Sequence, residues 1–489
     1  MKKISLLLAI LITPLLLLAK TTVVYHTSDT HGFFFPRNGV GGFAALQSVL
    51  KHGPKNYLLL DSGDFANGTV ETSKSKGLKA VQMMNKMGYD ATTLGNHEFD
   101  FKAANFPAIV EALDFPMLAA NFFEADSQKY PPHISPYTFI NRNGVKFAVI
   151  GLGNRTPTNP ANGYYYSKPL VALENALSEV EKQNPDVVIV LAHDSIADDK
   201  HGTKSYLADI AKQFGGRVHI VMGGHAHKIV QNRKINGVLF VESGCYVNFV
   251  SKVTVETDDK TGKFVSAKSE IIPLIIANVG EDKKMKKFVE TLREPGVDTP
   301  LGTTTEILAK HPVREDQLDS PLNNWIVDLI AQYAGVEIAI HNNGGTRVDL
   351  PKGKVTKRDL IDVHPFENTV TVVTVDGRFL KNFIKKGFAP RSLFTYAGLQ
   401  ITYKKDHKGN IKDIEILYNG KPLENKKKYT IATNTYIAGG GSEGHAFKNI
   451  PAQHKKQVGP KSIRDLMEDA LKQGKPVSAP ATGRIQQID

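Results

Sequence analysis

The chain has 489 residues, of which 41% are hydrophobic and 22% charged, and its formal net charge is +12. This composition excludes a disordered chain, and the length predicts two or more domains, because one domain typically holds about 100–200 residues. The positive charge favours anionic partners. Nucleic acid is not among the expected partners, because the lysines are spread along the chain and no helix-turn-helix, zinc-finger or RNP-like motif is present.

The first element is an apolar N-terminal segment. Lys2 and Lys3 precede an uncharged apolar stretch from Ile4 to Leu18, and Ala19 is a small residue suited to cleavage. The stretch is shorter than the roughly 20 residues that span a bilayer, so the pattern is typical of an export signal. We therefore expect residues 1–19 to be a signal peptide, and the mature protein to be periplasmic or secreted without stable membrane insertion.

From about residue 20 to residue 276, short apolar runs alternate with polar residues. The runs predict strands that are buried on both faces, and they are Tyr57–Leu60, Phe147–Ile150, Val187–Leu191 and Val218–Met222. In open α/β sheets, ligand sites gather at the carboxyl ends of the strands. The polar residues that follow predicted strands are Asp29, His31, Asp64, Asn96, His97, Asp100, His193, His225 and His227.

These polar residues are of the types that bind metal ions. Their carboxylate, amide and imidazole groups, with no thiolate among them, favour manganese, zinc, iron or cobalt over a structural zinc cage. Asp29 and His31 are two residues apart, so both point to the same side of an extended segment. Gly63 and Gly95 allow the chain to turn sharply where the ligands must converge. The sequence therefore predicts one dinuclear metal site.

Five short motifs, Asp-x-His, Gly-Asp, Gly-Asn-His-Glu, Ala-His and Gly-His-x-His, occur in this order along the chain. This set resembles the calcineurin-like metallophosphoesterases, and the wider chain resembles the bacterial periplasmic 5'-nucleotidases and UDP-sugar hydrolases. The resemblance implies an α/β fold in two parts. An N-terminal four-layer α/β/β/α metallophosphatase sandwich would cover residues 20–276, and a C-terminal α/β 5'-nucleotidase domain would cover residues 301–489.

The resemblance also implies two divalent metal ions, which would be manganese, zinc, cobalt or iron. The ligands of one ion would be Asp29, His31, Asp64 and His227. The ligands of the other would be Asp64, Asn96, His193 and His225. Asp64 would therefore bridge the two ions. Two such cations close together can activate a water molecule and clamp the oxygens of a phosphoryl group, so no protein nucleophile is needed.

His97 and Asp100, three residues apart in one turn, resemble the catalytic dyad of the same family. His97 would stabilise charge on the transferring phosphoryl group or protonate the leaving oxygen, and Asp100 would orient the imidazole. An alternative hypothesis makes His97 a further metal ligand. That alternative is weaker, because each ion already has four side-chain ligands.

The composition changes after residue 276. A lysine-rich stretch to about Arg293 predicts a helix, and Glu294-Pro295-Gly296 ends it. We expect residues 277–300 to form a helical linker and hinge. In the domain that follows, the pattern predicts a helix over Leu322–Tyr333, a strand over Val336–Ile340, a helix after Thr356 and a hairpin around Tyr429–Ala432.

The second domain supplies the candidate substrate contacts. Arg347 ends a glycine-rich segment after a strand, and its planar fork of donors suits phosphate. The resemblance implies that Phe366 and Tyr436 stack on a nucleobase, and such stacking contributes about 1–3 kcal/mol per base. The full set of candidate substrate-binding residues is Arg314, Asn342, Arg347, Phe366, Asn368 and Tyr436.

Three of these contacts have alternative interpretations, and one loop departs from the family pattern. Phe366 and Tyr436 could pack in a core, and Arg347 could form a surface salt bridge. In the segment Gly440-Gly441-Ser442-Glu443, the family has an aspartate that contacts the nucleoside. Either Ser442 or Glu443 replaces this aspartate, or the contact is lost.

The sequence leaves four functional hypotheses open. The leading one is release of phosphate from extracellular nucleoside 5'-monophosphates, with nucleotide sugars or dinucleotides as further substrates. The second is a 2',3'-cyclic-nucleotide phosphodiesterase with 3'-nucleotidase activity. The third is a SoxB-like thiosulfate-oxidation hydrolase, against which the aromatic and arginine motifs argue. The fourth is a non-catalytic adhesin or binding protein, which the complete set of metal ligands disfavours.

Overall fold

The computed structural model describes residues 19–101, 103–153, 163–197, 205–388, 393–407, 409–442 and 444–488. Residues 1–18 of the expected signal peptide lie outside these ranges, and so does Glu443 of the altered loop. Within these ranges, no helix combines the length and the apolar character that crossing a membrane requires.

Two mixed β-sheets form the centre of the first part of the chain. The larger sheet has the strand order Phe264–Pro273, Phe249–Asp258, Ala19–Thr27, Leu58–Asp61, Ala91–Thr93, Met117–Leu118 and Ile134–Ser135. The smaller sheet has the order Ile229–Ile235, Val238–Ser243, Ile220–Gly223, Val187–Ala192, Val145–Leu152 and Tyr137–Arg142. A separate antiparallel pair joins Phe122–Glu124 to Tyr164–Tyr166.

The two sheets pack face to face. Val24 and Leu60 of the larger sheet share one buried apolar cluster with Phe147 and Ile189 of the smaller one. The outer face of the larger sheet is covered by Phe43–His52, Leu78–Met87 and Phe106–Glu111, while Val70–Ser75 lies at one end. The outer face of the smaller sheet is covered by Pro169–Glu181 and Leu207–Phe214. The four-layer α/β/β/α architecture expected from the sequence is therefore confirmed.

The apolar runs in the sequence correspond to the central strands of the sheets. Val187–Ala192 is buried at every position and pairs in parallel with both Val145–Leu152 and Ile220–Gly223. Ala19–Thr27 pairs in parallel with Leu58–Asp61. Because parallel neighbours end at the same edge of a sheet, the polar residues that follow these strands lie close together.

The lysine-rich segment after the first domain is helical, as expected. It forms two helices, Ile276–Val279 and Lys283–Thr291, and Asp282 caps the second by accepting a hydrogen bond from the backbone N of Met285 at 2.8 Å. Met285 and Val289 pack into the apolar layer outside the larger sheet. This helix therefore lies against the first domain, and a hinge at Pro295-Gly296 stays a prediction.

The second part of the chain is built on a five-stranded sheet. Its strand order is Phe394–Ala397, Ile338–Asn342, Lys428–Asn434, Thr369–Asp376 and Lys455–Ser462. One smaller sheet pairs Pro300–Thr304 with Gly353–Thr356. Another has the strand order Lys421–Pro422, Ile411–Tyr418, Gln400–Lys405 and Ile485–Gln487. The helices are Pro321–Ala334, Lys357–Val363, Gly377–Lys386, Thr435–Ala438, His445–Lys448 and Ile463–Leu471.

The strand around Tyr429 differs from its expected role. Lys428–Asn434 is not one arm of a local hairpin but the centre of the five-stranded sheet, antiparallel to Thr369–Asp376 and parallel to Ile338–Asn342. Both partners are distant in sequence. Apolar clusters cover each face of this sheet, one around Phe383 and one around Ile326. The alternating apolar pattern indicates a strand correctly, but it does not encode which strands pair.

A buried ion pair joins the two parts of the chain. Arg358, from the second domain, donates a hydrogen bond to Glu71, from the first. Arg358 also donates to Asp298 Oδ1 at 2.6 Å, and Glu71 accepts from the backbone N of Glu294 at 3.1 Å. The Glu71 side chain is 1% exposed and that of Arg358 is 14% exposed. One carboxylate therefore contacts both domains and the segment that connects them.

Candidate metal centre

The predicted metal ligands converge at the carboxyl ends of the central strands. Ligand atoms of three groups lie within 4.8 Å of one another, namely Asp29 with His31 and His227, His31 with Asp64 and His97, and Asp64 with His193 and His225. Asp64 belongs to two of these groups. Asn96 joins them through its Oδ1 atom, which lies 3.0 Å from Nδ1 of His225. The structure thus brings all seven predicted ligand residues together, with Asp64 in the middle.

Two of the histidines are oriented by backbone carbonyl groups. Nδ1 of His31 donates a hydrogen bond to Asn67 O at 2.7 Å, and Nδ1 of His193 donates to Ser62 O at 2.6 Å. Because a carbonyl oxygen can only accept, Nδ1 carries the proton in both rings. Each Nε2 is then directed at Asp64, with distances to Oδ2 of 3.9 Å from His31 and 3.1 Å from His193. Such outer contacts are typical of metal-binding histidines.

The positions of the ring nitrogens fit a cation. Nε2 of His31 lies 3.1 Å from Nε2 of His227, so two atoms that are both able to ligate face each other. Nε2 of His193 is buried and lacks a hydrogen bond of good geometry among the described residues. Its contact with Asp64 at 3.1 Å is an ion pair without good hydrogen-bond geometry, and a ligand or ion would satisfy this buried atom better. The donor set therefore fits divalent metal ions.

The charges at the site also suit a cation. Burial opposes ionisation of Asp64, but His193 and His97 outweigh it and hold the pKa of this carboxyl well below its usual range. Burial and the nearby Arg347 guanidinium hold the pKa of His31 well below its usual range. An ionised Asp64 and a neutral His31 are the forms that bind metals. Burial lowers the pKa of His193 but Asp64 outweighs it and raises it to about 10, so this ring would release a proton when a metal binds.

Five of the seven ligand residues have a left-handed backbone, which no sequence pattern indicated. The φ angles are 51° at Asp29, 49° at His31, 60° at Asp64, 71° at His225 and 57° at His227. Such angles are uncommon outside glycine, and each strained residue costs on the order of 1–3 kcal/mol. The rest of the domain must stabilise these turns, whose side chains contribute ligand atoms to neighbouring groups.

Gly95 is required for a reason other than the sharp turn that the sequence predicts, because its backbone φ is not positive but Asp64 lies against it. A Cβ atom at this position would lie 2.2 Å from Oδ1 of Asp64 and 2.6 Å from its backbone N. Gly63 has φ of 86°, and its own added Cβ would lie 2.7 Å from the backbone N of Gly95. The two turns therefore approach each other more closely than any residue with a side chain permits.

Glu98 is a residue of this site to which no role was assigned from the sequence. Its carboxylate is fully buried and accepts hydrogen bonds from the backbone N of Gly95 and Phe65 at 2.8 Å, Ala66 at 3.2 Å and Asp64 at 3.3 Å. These contacts join the turn that carries Asp64 to the turn that carries Asn96 and His97. The sequence signal that could have identified Glu98 as a site residue is its place in the Gly-Asn-His-Glu motif.

His97 and Asp100 form the pair expected from the sequence. Nδ1 of His97 lies 2.6 Å from Oδ2 of Asp100, and its Nε2 lies 3.9 Å from Oδ2 of Asp64. Burial lowers the pKa of His97, but the carboxylates of Asp100 and Asp64 outweigh burial and raise it overall. The imidazole is therefore suited to hold a proton at Nε2, beside the metal ligands.

Two candidate substrate residues reach this site from the second domain. The guanidinium of Arg347 lies 3.1 Å from Nε2 of His31, and it forms no ion pair with a carboxylate among the described residues. The ring of Phe366 lies 6.1 Å from that of His97, at an interplanar angle of 29°. Phe366 is half-buried and belongs to neither apolar cluster of its own domain. These positions agree with substrate contact better than with a salt bridge or core packing.

Tyr436 lies in the short helix Thr435–Ala438 of the second domain, whereas Asn342 ends the strand Ile338–Asn342 and Asn368 directly precedes the strand Thr369–Asp376. Tyr436 is 48% exposed, so it is not a core residue, and its ring lies against Gly441. Oδ1 of Asn342 accepts from Nδ2 of Asn434 at 2.7 Å. Oδ1 of Asn368 accepts from the hydroxyl of Thr435 at 3.2 Å. The asparagine side chains therefore hold the turn from which Tyr436 projects.

Arg314 is the candidate that the structure places elsewhere. Its side chain is 64% exposed and pairs with Asp316, with Nε 2.9 Å from Oδ1. It contacts none of the other candidate residues in the described part of the chain. The Arg314 guanidinium already has a local partner in Asp316, two residues away. For this reason the neighbouring motif in the sequence did not predict the position of the Arg314 side chain.

Comparisons with known proteins agree with this architecture. A family described as calcineurin-like phosphoesterase matches residues 22–228, and one described as 5'-nucleotidase, C-terminal domain, matches residues 300–449. The solved structure of a 5'-nucleotidase precursor from Thermus thermophilus is 24% identical, with a TM-score of 0.82 over 96% of this chain and 100% of that one. This likeness shows the fold.

Two curated relatives match most of the chain. Endonuclease YhcR of Bacillus subtilis is 26% identical over 469 residues, which cover 91% of this chain. This chain spans only 38% of the length of that relative. Protein UshA of Yersinia enterocolitica is 24% identical over 490 residues, which cover 88% of this chain and 87% of that protein.

Proposed function

The chain belongs to the calcineurin-like phosphoesterases that carry a 5'-nucleotidase C-terminal domain, and from this premise we propose that it hydrolyses nucleoside 5'-monophosphates. The observation that supports this substrate class is the contact between domains. The candidate metal ligands are in the first domain, whereas Arg347 and Phe366 reach them from the second. A substrate with both a phosphate and a base would contact both domains at once, and sites between domains are common.

The donor set would hold two divalent metal ions, with manganese, zinc, cobalt and iron as the candidates. The ligands of one would be Asp29, His31, Asp64 and His227, and those of the other Asp64, Asn96, His193 and His225. When bound, such ions supply an activated water molecule and neutralise charge on the phosphoryl oxygens. Asp64 is the carboxylate near both groups, so it is the bridging ligand in this proposal.

His97 would act on the oxygen that leaves with the nucleoside. Its Nδ1 is bonded to Asp100, which leaves Nε2 as the atom that can donate a proton or a hydrogen bond. A nucleoside alkoxide is a poor leaving group, so protonation of its 5' oxygen contributes to the rate. The same N–H could stabilise charge on the phosphoryl group, because the leaving oxygen is bonded directly to the phosphorus atom.

The second domain would bind the two ends of the substrate. Arg347 presents a planar fork of donors suited to phosphate oxygens. Phe366 and Tyr436 offer aromatic faces that suit a base of any identity, because every base has a face for stacking. Arg314 is not part of this proposal, since it pairs with Asp316 at the surface. Nucleotide sugars and dinucleotides are further candidate substrates, because they contain the same groups.

We also propose that the protein acts outside the cytoplasm. The charged start, the apolar stretch from Ile4 to Leu18 and the small residue Ala19 support cleavage of residues 1–19 and export. Measuring the N-terminal sequence of the protein recovered from the periplasm or medium tests this. An N-terminus at Met1 in a cell-associated protein would contradict it.

Phosphate release from a panel of substrates tests the proposed activity. The panel contains AMP, 3'-AMP, 2',3'-cyclic AMP, UDP-glucose and ribose 5-phosphate, each with added manganese. We expect AMP to react fastest and ribose 5-phosphate poorly, because it lacks a base. Preferred hydrolysis of the cyclic nucleotide and 3'-AMP would instead support the phosphodiesterase hypothesis. No turnover of any phosphate ester by metal-loaded protein would contradict the proposal.

A further inference from the structure

Asn67 lies between the two halves of the candidate site. It follows Asp64 by three residues, is 4% exposed and contacts two other site residues. Its backbone oxygen accepts the hydrogen bond from Nδ1 of His31 at 2.7 Å. Its side-chain Nδ2 donates to Oδ2 of Asp100 at 2.8 Å. One residue thus orients both a metal ligand and the partner of His97.

The orientation of the Asn67 amide is defined by its neighbours. The carboxylate of Asp100 can only accept a hydrogen bond, so Nδ2 must face it. The hydroxyl of Ser73 donates to Oδ1 of Asn67 at 3.0 Å and satisfies the other end of the amide. A chain of three hydrogen bonds therefore runs from Ser73 through Asn67 and Asp100 to His97.

The contact with Asp100 has a specific consequence for His97. Oδ2 of Asp100 accepts from both His97 Nδ1 at 2.6 Å and Asn67 Nδ2 at 2.8 Å. The Asp100 side chain is 23% exposed, so water competes for this carboxylate. The amide of Asn67 holds it from the protein side. Without that bond, the carboxylate could turn toward solvent and leave the imidazole without a fixed orientation.

We propose that Asn67 is a positioning residue that acts through Asp100 to fix the orientation of the His97 ring. This inference rests on the proposed phosphoester hydrolysis, because it assigns Asn67 a part in the same reaction. Asn67 itself contacts none of the reacting groups in this scheme. Its second role, the contact with His31, uses only a backbone oxygen. Every substitution at position 67 that leaves the shape of the loop unchanged retains this oxygen.

Replacement of the side chain therefore separates the two roles. Asn67→Ala removes the bond to Asp100 and keeps the carbonyl that orients His31. We expect kcat for AMP to fall about 10- to 100-fold, the usual effect of losing an outer hydrogen bond at such sites. KM and the metal content, measured by elemental analysis after dialysis, should stay close to those of the wild type.

A double-mutant cycle tests whether Asn67 acts through the dyad. If it does, Asn67→Ala should lower kcat in the wild type but cause no further loss in His97→Ala or Asp100→Ala protein. A residue that merely supports the loop would lower kcat by the same factor in every background. Equal losses in all backgrounds, or a loss of metal with Asn67→Ala, would overturn the inference.

Two further variants guard against a general effect on folding. Ser73→Ala leaves Asn67 in place but frees its amide, and it should give a smaller loss of kcat that also vanishes in the His97→Ala background. Asn85→Ala is the matched control, because its amide bridges Ala112 O and the backbone N of Asp114 away from these residues. It should leave kcat unchanged. A fall in kcat for Asn85→Ala equal to that for Asn67→Ala would count against the inference.

The cycle also distinguishes this inference from the proposed function. A wild-type protein that binds metal but releases no phosphate from any ester contradicts the proposed function, and with it the inference. An active wild type whose Asn67→Ala loss persists in the His97→Ala background contradicts the inference alone.

Discussion

The guanidinium of Arg347 lies 3.1 Å from Nε2 of His31, across the boundary between the two domains. Nε2 of His31 also lies 3.1 Å from Nε2 of His227. A cationic side chain at this position is close enough for one phosphate group to contact both the metal ligands and Arg347. The two domains are thus arranged so that neither contains the whole site.

This geometry predicts different effects for Arg347 and Arg314, the two arginines proposed from the sequence as substrate contacts. Arg347→Ala should lower kcat/KM for AMP roughly 10- to 150-fold. It removes hydrogen bonds to a charged group, which contribute about 1.5–3 kcal/mol. Arg347→Lys should recover only part of the loss, because lysine lacks the planar fork. Steady-state kinetics check this. Arg314→Ala is the control, and a loss equal to that of Arg347→Ala would show that the placement of Arg314 is wrong.

Asp64 should be the most sensitive position for metal binding. Asp64→Ala removes a carboxylate that lies close to His31 and to His193, one from each proposed ligand group, so we expect loss of bound metal and of turnover with the fold retained. Elemental analysis, circular dichroism and phosphate release measure the three properties. Asp258, at the end of the strand Phe249–Asp258, bonds the turn that follows it, so Asp258→Ala should leave bound metal and turnover unchanged. Near-normal activity with two bound ions in the Asp64→Ala protein would refute the ligand assignment.

His97 should affect the chemistry but not the metal. His97→Ala should lower kcat by roughly 10²–10⁴-fold, the usual range for a group that transfers a proton, with metal content unchanged. Its Nε2 lies near both His31 and Asp64, so the alternative role as a ligand is testable with the same variant. If metal content fell in step with activity, His97 would be a ligand.

The aromatic side chains should govern affinity for the base. In the double variant Phe366→Ala with Tyr436→Ala, we expect a higher KM for AMP, because stacking contributes about 1–3 kcal/mol per base. Hydrolysis of ribose 5-phosphate, which has no base, should hardly change. Kinetics with both substrates check this. Equal losses for the two substrates would indicate that these rings support the structure rather than the base.

Glu242 should make the stability of the metal-free protein depend on pH. Burial raises the pKa of this carboxyl to about 8, although hydrogen bonds with Ser195 and the backbone N of Ile196 act in the opposite direction. Between about pH 5 and pH 8 the folded state therefore keeps a proton that the unfolded state releases. Rising pH then favours unfolding, by up to about 1.4 kcal/mol per pH unit.

Glu242→Gln removes this dependence, because the amide is neutral at every pH. Urea unfolding of the two EDTA-treated proteins at pH 5, 6, 7 and 8 measures the effect. The free energy of unfolding of the wild type should decline relative to that of the variant as pH rises. Parallel curves would show that Glu242 is ionised in the folded protein.

The sequence was sufficient to predict which polar residues converge at the candidate site, because their chemistry and their position coincide. Buried strands show as continuous apolar runs, and a polar residue directly after such a run has few structural reasons to be there. Asp64 and His193 were found in this way. The sequence also singled out Gly95, but for a sharp turn, whereas the structure shows that it is needed for the close approach of Asp64.

Other features depend on contacts that no local pattern contains. The left-handed backbone at His225 and His227 is not encoded by a local pattern, because only a few per cent of residues other than glycine adopt it. Glu98 bonds four backbone N–H groups of two turns, and their proximity follows only from the assembled sheet. The surface position of Arg314 depends on its pairing with Asp316 in the same way.

The ion pair between Glu71 and Arg358 has a consequence for movement of the domains. Separating the two domains would expose both charges to water, and the hydration they regain is comparable with the attraction they lose. The two arrangements can therefore have similar free energies even though one contains a buried salt bridge. A nucleotide that contacts Arg347 on one side and the metal ligands on the other needs only a modest difference in affinity to shift the population between them.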